Sequence, residues 1–600
     1  MSFNQAASTA TPSVDHSNLD LEKQNSSSNG DADASTAVGH ADTSMTEKEA
    51  TTAAAAAPAT PLKGASVGFA PQATPAYIPA DGSDPAATRP TKTFSRRERS
   101  EANDSTHPFG GDLERADTEN HLERFQSQAG KDVVIVHWEG ENDSENPFTW
   151  SRAYRWYLTM LAGTLVLNST FTSSAPSGIV PDLEREFGFG REVAVLSLSI
   201  FIAGYCLGPL LWGPLSEQYG RRPVFIVAMF AYTCFNVGCA LSKNTASILI
   251  FRFLAGTFAA SPLTNSGGVI ADLWDAKTRG IALSLFSLAP FAGPALGPIV
   301  SGFINVTHTS WRWLFWVCTI FSGVCLAFVV LTLPETYAPI ILQKKARRIR
   351  KETGDDRYRA PIDLVKFEWK DRLNKTLLKP FIMLAQEPML LVMTIYLSFI
   401  YGVVYLLFEA YPIVFQQGHG FNAGISGLMF VAFFLGGCAA VLLYVFYFNP
   451  KYAKEADELK AQGINRVPPE ERLYPIMLAG PCLTIAFFWF GWTSYPSISF
   501  WSPMMAGALI GFGVLFCFLG VFNYLIDVYL ANAASALAAN TVCRSAAGFG
   551  FPLFATQMYE TLNPRWASSL LGFIALVMVP IPFALYKFGP KIRAMSKHAM

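Results

Sequence analysis

The chain has 600 residues and a formal net charge of zero, with 51% hydrophobic and only 15% charged residues. Typical soluble domains carry about 25% charged residues, so this composition excludes a string of ordinary soluble domains, and the neutral balance gives no indication of nucleic-acid binding. The 47 phenylalanines and 45 glycines are typical of helices that pack closely in lipid. We therefore expect an all-α membrane protein.

The first 145 residues differ in composition from the rest of the chain. They are rich in Ala, Ser, Thr, Asp and Pro and show no helical or strand periodicity. Such a segment buries too little apolar surface to offset the entropy lost on ordering. It also begins without the basic and apolar regions of a cleavable signal peptide. We interpret residues 1–145 as a disordered cytoplasmic tail.

Twelve apolar stretches follow, each close to the roughly 20 residues that a helix needs to cross a bilayer. They lie at 156–177, 193–213, 224–242, 246–270, 281–304, 312–333, 389–412, 425–448, 473–493, 503–525, 536–559 and 567–587. A polar stretch containing "KKARRIRK" separates the first six from the last six. This division predicts an N-terminal six-helix half (146–334), a cytoplasmic central loop (335–388), a C-terminal six-helix half (389–587) and a cytoplasmic tail (588–600).

Lysine and arginine near the span ends indicate the orientation, because cytoplasmic loops carry the excess of these residues. With the N-terminus inside, the inner side holds Arg221, Arg222, Lys277 and Arg279, the basic central loop and the tail "KFGPKIRAMSK". We therefore expect both termini in the cytoplasm. Asn305 in "NVT" is then a formal glycosylation acceptor on the outer side, but its loop is so short that we expect no modification.

Few residues are suited to catalytic or metal chemistry. All nine cysteines lie in apolar runs without ligand spacing, which favours small buried hydrophobes over disulfides or a metal site. No histidine falls in a span, and neither a phosphate-binding loop nor a HExxH pair is present. We expect no metal, no cofactor and no enzymatic activity, so that any transport is driven by a gradient.

Ionisable residues inside spans are functional candidates because each costs roughly 2.5 kcal/mol or more at the bilayer centre. Arg252 in the fourth span and Glu409 in the seventh lie deepest, so we expect each to face a cavity or a partner. Arg544 and Glu560 lie nearer the ends of the eleventh span. Reaching an interface explains these two as well as a functional role does.

The fifth span, "LAPFAGPALGPIVSG", has an unusual distribution of proline and glycine. Its prolines recur at four-residue intervals and therefore share one helix face, and each removes a backbone hydrogen bond. Such a face favours a hinge or gate over inert lipid contact. The residues are Pro290, Gly293, Pro294, Gly297 and Pro298.

Three motifs, in order and in the expected spans, resemble those of the major facilitator superfamily. The loop "GPLSEQYGRR" resembles G-x-L-a-D-r-x-G-r-k, with Gly213, Leu215, Gly220, Arg221 and Arg222 at motif positions and Glu217 in place of Asp. "RFLAG" (252–256) resembles R-x-x-q-G, with Ala255 in place of Gln. "APFAGPALGP" (289–298) resembles the fifth-helix motif of antiporters, g-x-x-x-G-P-x-x-G-G.

Longer stretches, such as "YLLFEAYPIVF" and "ENPFTWSRAYRW", are similar to fungal twelve-helix drug:proton antiporters, and the resemblance covers about residues 145–588. It implies two pseudo-symmetric six-helix halves that rock about a central cavity. The implied function is proton-coupled export of hydrophobic or amphipathic compounds such as drugs, toxins or fungal metabolites. A polyamine or organic-acid exporter is an alternative, and a proton-coupled nutrient importer is a further one.

The resemblance also implies partners and a location. We expect a monomer that binds a small-molecule substrate, protons and the lipid bilayer, but no nucleic acid. The family's members favour the plasma membrane, with the vacuolar membrane as the alternative.

The resemblance assigns roles to residues of the opening loop and of the fourth span. The loop is implied to be a cytoplasmic latch, in which Glu217 caps the start of the eleventh span and Arg221 or Arg222 pairs with Asp272 or Asp275. Arg252 is implied to tune proton release. Because the first span offers no acid, Glu409 is our candidate proton carrier.

A cavity with aromatic walls and few polar groups is typical of sites for hydrophobic ligands. Ordinary helix packing remains the alternative for each candidate wall residue. The candidates are Asn168, Tyr205, Phe286, Tyr411, Phe415 and Asn523.

Overall fold

The computed structural model describes residues 133–139, 143–274, 276–364, 369–462 and 467–598. Most of the predicted tail, 1–145, lies outside these ranges. Within them, ten helices are long and apolar enough to cross a membrane. One of the ten, Ala533–Met595, is interrupted at Asn563, whose backbone has φ 60° and ψ 156°. It therefore supplies two crossings.

The helix Arg152–Ser174 completes a set of twelve among the described residues. Its second half, "LNSTFTSS", is polar and lies buried in the bundle, which explains its lower hydropathy. We number the twelve α1 to α12. They are α1 (Arg152–Ser174), α2 (Arg191–Tyr219), α3 (Arg221–Ala240), α4 (Thr245–Leu273), α5 (Ala276–Phe286 with Ala289–Val306), α6 (Arg312–Thr332), α7 (Pro388–Tyr411 with the π-helical Pro412–Gly418), α8 (Ala423–Leu428, Phe430–Leu443, the π-helical Tyr444–Phe448 and Asn449–Ala461), α9 (Tyr474–Thr493), α10 (Trp501–Tyr529), α11 (533–562) and α12 (564–578 with Pro580–Met595).

Glycines bring helix backbones into direct contact inside each half. A Cβ on Gly256 of α4 would overlap the carbonyl of Phe201 in α2, and one on Gly204 of α2 would overlap α4. The C-terminal half repeats this arrangement, since Gly436 of α8 and Gly511 of α10 lie on each other's helix backbone. Lipid provides no hydrophobic drive between helices, so such close packing holds them together. Each half is thus built around one tight helix pair.

Shorter elements join the two halves at the end of the bundle where α6 ends and α7 begins. Helices Ala338–Thr353, Pro361–Leu364 and Trp369–Gln386 lie there. Strand β1 (Val134–Ile135) pairs in parallel with β2 (Tyr358–Arg359). Although the composition assigns Val134–Ile135 to the tail, the strand pairing places this short stretch against the central loop.

Charged contacts hold this short stretch in place. The Lys345 ammonium lies 2.8 Å from Asp143 and 2.9 Å from Glu139, and Arg348 lies 2.7 Å from Glu145. The Glu139 amide donates to Asp143 at 2.9 Å, and this bond, followed by that from Lys345, lowers the pKa of Asp143 to about 2. The chain before α1 is therefore tied to the helix that follows α6.

The glycine contacts predict opposite results for two substitutions in α4. Gly256→Ala forces α2 and α4 apart, and we expect a loss of about 1–3 kcal/mol in stability, as for overpacked cores. Gly267 has nothing within 4 Å of an added Cβ, so Gly267→Ala should be neutral or slightly stabilising through helix propensity. Thermal melting of the purified protein in detergent measures both, and equal melting of the two variants would contradict the packing account.

The low pKa of Asp143 predicts how the strand contact responds to pH. Its folded-state pKa lies below the ordinary 3.8, so its contribution is complete above about pH 4 and is lost as the pH falls toward 2. Hydrogen exchange of residues 134–136 should therefore be equally slow, after correction for intrinsic rates, at pH 5 and pH 8. Asp143→Asn should speed this exchange at both values, whereas Asp356→Asn, at an exposed position, should not. A change between pH 5 and 8 would rule out this assignment.

Candidate functional site

The predicted latch residues meet at the end of the bundle where α2 ends and α3 begins, which we call the latch end. Arg221 Nε lies 3.2 Å from Asp272 Oδ2 of α4, and Arg221 Nη1 donates to Ser216 at 2.6 Å. Arg222 points elsewhere, since its Nη2 donates to the Val330 carbonyl at 3.0 Å. Of the four pairings left open by the sequence, the structure therefore shows Arg221 with Asp272. Asp275 lies outside the described residues.

Glu335, which follows α6, completes the latch and was not singled out from the sequence. Its carboxylate accepts hydrogen bonds from the backbone amides of Arg221 (2.8 Å) and Arg222 (3.3 Å), and it therefore caps the start of α3. A carboxylate there is favoured by the partial positive charge of the helix start. Gly220 has φ 96°, and a Cβ at this position would overlap Glu335. Only glycine combines this backbone conformation with this approach.

The sequence did contain a signal for this contact. "LPET" places one carboxylate directly after the sixth span, at the same end as the basic loop. A rule that pairs a free carboxylate with a nearby helix start would have selected Glu335.

The C-terminal half carries a matching ion pair. Arg472 stands at the start of α9, and its Nε lies 2.8 Å from Asp527 near the end of α10. Arg221 and Asp272 occupy the corresponding places at the start of α3 and the end of α4. Both halves therefore close their latch end with an arginine and an aspartate.

Glu217 lies in the last turn of α2, and its charge acts on Arg221. Gly213 packs near Thr264 of α4, since a Cβ added to Gly213 would lie 3.7 Å from the Thr264 methyl carbon, an ordinary contact distance. The first turn of α11 receives no side-chain cap from Asn532. The cap that Glu217 is expected to supply there stays a prediction.

Arg252 is fully buried, and its partners are carbonyl groups. It donates to the backbone oxygens of Thr172 (2.9 Å) and Ser173 (3.3 Å) in the last turn of α1, and to those of Ser197 (2.9 Å) and Leu198 (3.4 Å) in α2. The last carbonyls of a helix lack partners within it, so Arg252 satisfies them and joins α1, α2 and α4. Its role in proton release stays a prediction.

A second group of charges lies at the opposite end of the bundle, which we call the far end. Arg191 at the start of α2 pairs with Glu560 of α11 at 3.7 Å, and Gln557 of α11 donates to Glu192 at 3.2 Å. These contacts join the two halves. Glu409 of α7 is buried beside them and accepts a hydrogen bond from Thr556 at 3.2 Å. The positive charge of Arg191 also interacts with this carboxyl group.

The glycines and prolines of α5 contact both halves. A Cβ on Gly293 would overlap Thr170 of α1, and one on Gly297 would overlap Ser174. The Pro298 carbonyl packs against Gly427 of α8: a Cβ added to Gly427 would lie 2.5 Å from the Pro298 carbonyl oxygen. The chain turns at residues 287–288, just before Pro290, and Pro294 lies inside the helix. This segment is therefore a contact surface between the halves as well as a bent helix.

The structure does not bring the six predicted cavity residues together. Tyr205 lies between the halves and donates to the Ser169 carbonyl at 3.0 Å. Tyr411 and Phe415 pack inside the C-terminal half, where the ring centroid of Tyr411 lies 4.2 Å from that of Phe430. Asn523 donates to Tyr444 at 3.2 Å toward the latch end.

The remaining two cavity candidates lie in the N-terminal half. Asn168 is buried in α1, and its side chain has no hydrogen-bond partner among the described residues. Phe286 ends the first segment of α5. Outside the cavity set, Asn305 donates its amide to Asp182 at 2.7 Å. The sequon side chain is thus already engaged in a contact.

Each six-helix half is closed by an ion pair at the latch end, and glycine, aromatic and charged contacts join the two halves. This arrangement defines a multi-pass membrane protein of the transporter class. The chain belongs to the Major Facilitator Superfamily, whose family model matches residues 161–552. Proteins of this family are transporters that bind small-molecule substrates within a membrane.

Two fungal relatives match most of the chain. A Major facilitator superfamily multidrug transporter of Aspergillus fumigatus is 45% identical over 470 residues, which are 78% of this chain and 76% of the relative. A citrinin biosynthesis cluster MFS transporter of Monascus ruber is 41% identical over 503 residues, 84% of this chain and 99% of the relative.

Among solved structures, the proton:xylose symporter XylE bound to a bromodeoxyglucose superimposes with a TM-score of 0.52. The match covers 73% of this chain and 96% of XylE at 15% identity. This likeness shows the fold of the bundle.

The role of Glu335 can be tested by hydrogen exchange. Glu335→Gln removes the charge that caps α3, and we expect faster exchange in the peptide "GPLSEQYGRRPVF" by roughly fivefold, the factor for about 1 kcal/mol. The exposed Glu352, on the helix Ala338–Thr353, offers a control as Glu352→Gln. Unchanged exchange in Glu335→Gln would show that the carboxylate does not hold the latch.

Proposed function

We propose that this protein is an efflux transporter that exports amphipathic small molecules by alternating access. The observation that carries the proposal is the identity of 41–45% to proteins named as a multidrug transporter and a metabolite-cluster transporter, over most of the membrane bundle. Tight helix pairs within each half, with separate contacts between the halves, support a rocking motion. A polyamine or organic-acid exporter has the same architecture.

Proton antiport is the energy source that we propose, and Glu409 is the proposed carrier. This carboxylate is buried at the far end, where the charge of Arg191 from the other half acts on it. A proton on Glu409 removes the negative charge that attracts α2. Protonation therefore changes the contact between the halves, and differential stabilisation of the two states is the requirement for coupling.

The proposed location is the plasma membrane, with the latch end and both termini in the cytoplasm. The basic residues at the latch end, including Arg221, Arg222, Arg472 and the helix Ala338–Thr353, support this orientation. The proposed working unit is a monomer.

Direction of flux tests the proposal. Inside-out vesicles that contain the protein receive an imposed proton gradient, acidic inside, and a panel of fluorescein, cycloheximide and rhodamine 6G. We expect uptake of at least one compound together with faster loss of the gradient than in vesicles without the protein. Uptake driven by external acid in intact cells, with none in the vesicles, would show import and contradict the proposal.

Glu409→Gln separates coupling from movement of substrate. The amide keeps the size of the side chain but cannot bind and release a proton. We therefore expect at least a tenfold loss of substrate-stimulated proton flux. Glu186→Gln is the matched control and should keep wild-type flux, since Glu186 is an exposed acid at the same end that pairs with Arg312 inside the N-terminal half. Wild-type proton flux in Glu409→Gln would remove this residue from the mechanism.

A further inference from the structure

Arg544, at the contact between the halves, differs in its surroundings from the four arginines described above. Arg221, Arg472 and Arg191 each pair with a carboxylate, and Arg252 donates to four carbonyls. Arg544 has neither kind of partner within the described part of the chain. Its Nε is buried without a hydrogen-bond partner.

Aromatic rings surround this guanidinium. Its Cζ lies 4.9 Å from the ring centroid of Tyr401 in α7, 5.5 Å from that of Phe518 and 5.6 Å from that of Phe522 in α10. Rings at this range attract a cation through their faces. They offer no acceptor to the N–H donors at the edge of the guanidinium, of which arginine has five. The ring contacts hold the charge in place and leave its hydrogen-bonding capacity unused.

The position of the cluster fits a ligand that is moved between the halves. Next to Arg544, the Val542 carbonyl lies 3.6 Å from Cys206 Sγ of α2, in the other half. Phe518 makes an edge contact with Phe291 of α5 at 5.3 Å between centroids. Arg544, Tyr401 and Phe522 each remain partly exposed. The cluster therefore borders an accessible space between the halves.

Arg544 is the charged group of this cluster. The groups that act electrostatically on Arg544 are the hydroxyls of Tyr401, Tyr405 and Tyr205, and no carboxylate is among them. A cationic ligand would meet an uncompensated positive charge in a site of low polarity. An anionic ligand would neutralise it, and a planar carboxylate matches the guanidinium fork with two parallel hydrogen bonds.

We infer that Arg544 is the anion-binding residue of the substrate site, and that the protein carries amphipathic organic anions whose apolar body packs on Tyr401, Phe518 and Phe522. This inference rests on the proposed function and names its substrate class. It selects the organic-acid alternative over a polyamine, because a polycation would be repelled. An anion also leaves the negatively charged cytoplasm down the membrane potential, which adds to the drive for export.

Binding to the purified protein tests the inference independently of transport. The probes are 2-naphthoate, 2-naphthamide and 2-naphthylmethylammonium, which share one apolar body and differ in charge. We expect 2-naphthoate to bind at least about tenfold more tightly than the other two, as for a charge-assisted bidentate contact. Equal affinities, tighter binding of the ammonium probe or no binding of 2-naphthoate would each overturn the inference.

Variants at this position sharpen the test. Arg544→Gln should lower 2-naphthoate affinity about tenfold, to that of the amide, and should melt no earlier than the wild type because it removes a charge that no carboxylate of the described residues compensates. Arg544→Lys keeps the charge without the fork and should fall between the two. Arg565→Gln is the matched control: Arg565 also lies over a ring, 3.7 Å from the Trp492 centroid, but away from this cluster. Its affinities should be those of the wild type.

The two proposals fail in different ways. If no compound of the efflux panel enters energised vesicles while 2-naphthoate binding still depends on Arg544, the efflux proposal is wrong and the anion site stands. If vesicles accumulate rhodamine 6G and Arg544→Gln binds 2-naphthoate like the wild type, export stands and the anion site is wrong.

Discussion

Backbone contact between glycine-bearing helices is the constraint on which the other features of this bundle depend. Lipid offers no hydrophobic drive for helix association, so α2 and α4, and likewise α8 and α10, are held by close approach at Gly256 and Gly511. Because packed surfaces of this kind do not slide continuously, our proposal treats each half as one moving unit. Change of shape is then confined to the surface between the halves, where α5 meets α8 and α2 meets α11.

The distribution of charge follows the same division. Three arginines inside the halves are compensated by the protein: Arg221 by Asp272, Arg472 by Asp527, and Arg252 by the free carbonyls at the end of α1. Between the halves, Glu409 and Arg544 have no such full compensation from the protein. A buried charge without a partner is unfavourable unless something else supplies one. In our account, protons and an organic anion are what supply it, so the uncompensated residues are the functional ones.

Much of the architecture could be predicted from the sequence because a spanning helix is a local, composition-driven element. A helix lies at each of the twelve predicted spans, although α8 continues to Ala461 and α12 to Met595, well past the apolar stretches. The latch motif narrowed the ion pair to Arg221 or Arg222 with Asp272 or Asp275, and the structure shows Arg221 with Asp272. Glu335 and Lys345 were missed because their contacts depend on the chain returning from α6 to α3 and to the segment before α1. The six cavity candidates lie in different parts of the bundle, because an aromatic residue in a span, such as Tyr411, carries no signal of which face meets the other half.

If transport requires the halves to separate at the far end, a reversible cross-link between α2 and α11 should stop it. Arg191→Cys with Glu560→Cys places one thiol on each helix, at the positions whose side-chain tips now form an ion pair at 3.7 Å. Because the tips of two long side chains meet there, the shorter cysteines are joined with a bifunctional methanethiosulfonate reagent rather than by a direct disulfide. The reagent should abolish vesicle uptake without loss of protein, and reduction should restore it, while each single variant stays active after the same treatment. Full transport by the cross-linked double variant, with the cross-link shown by mass spectrometry, would contradict this requirement.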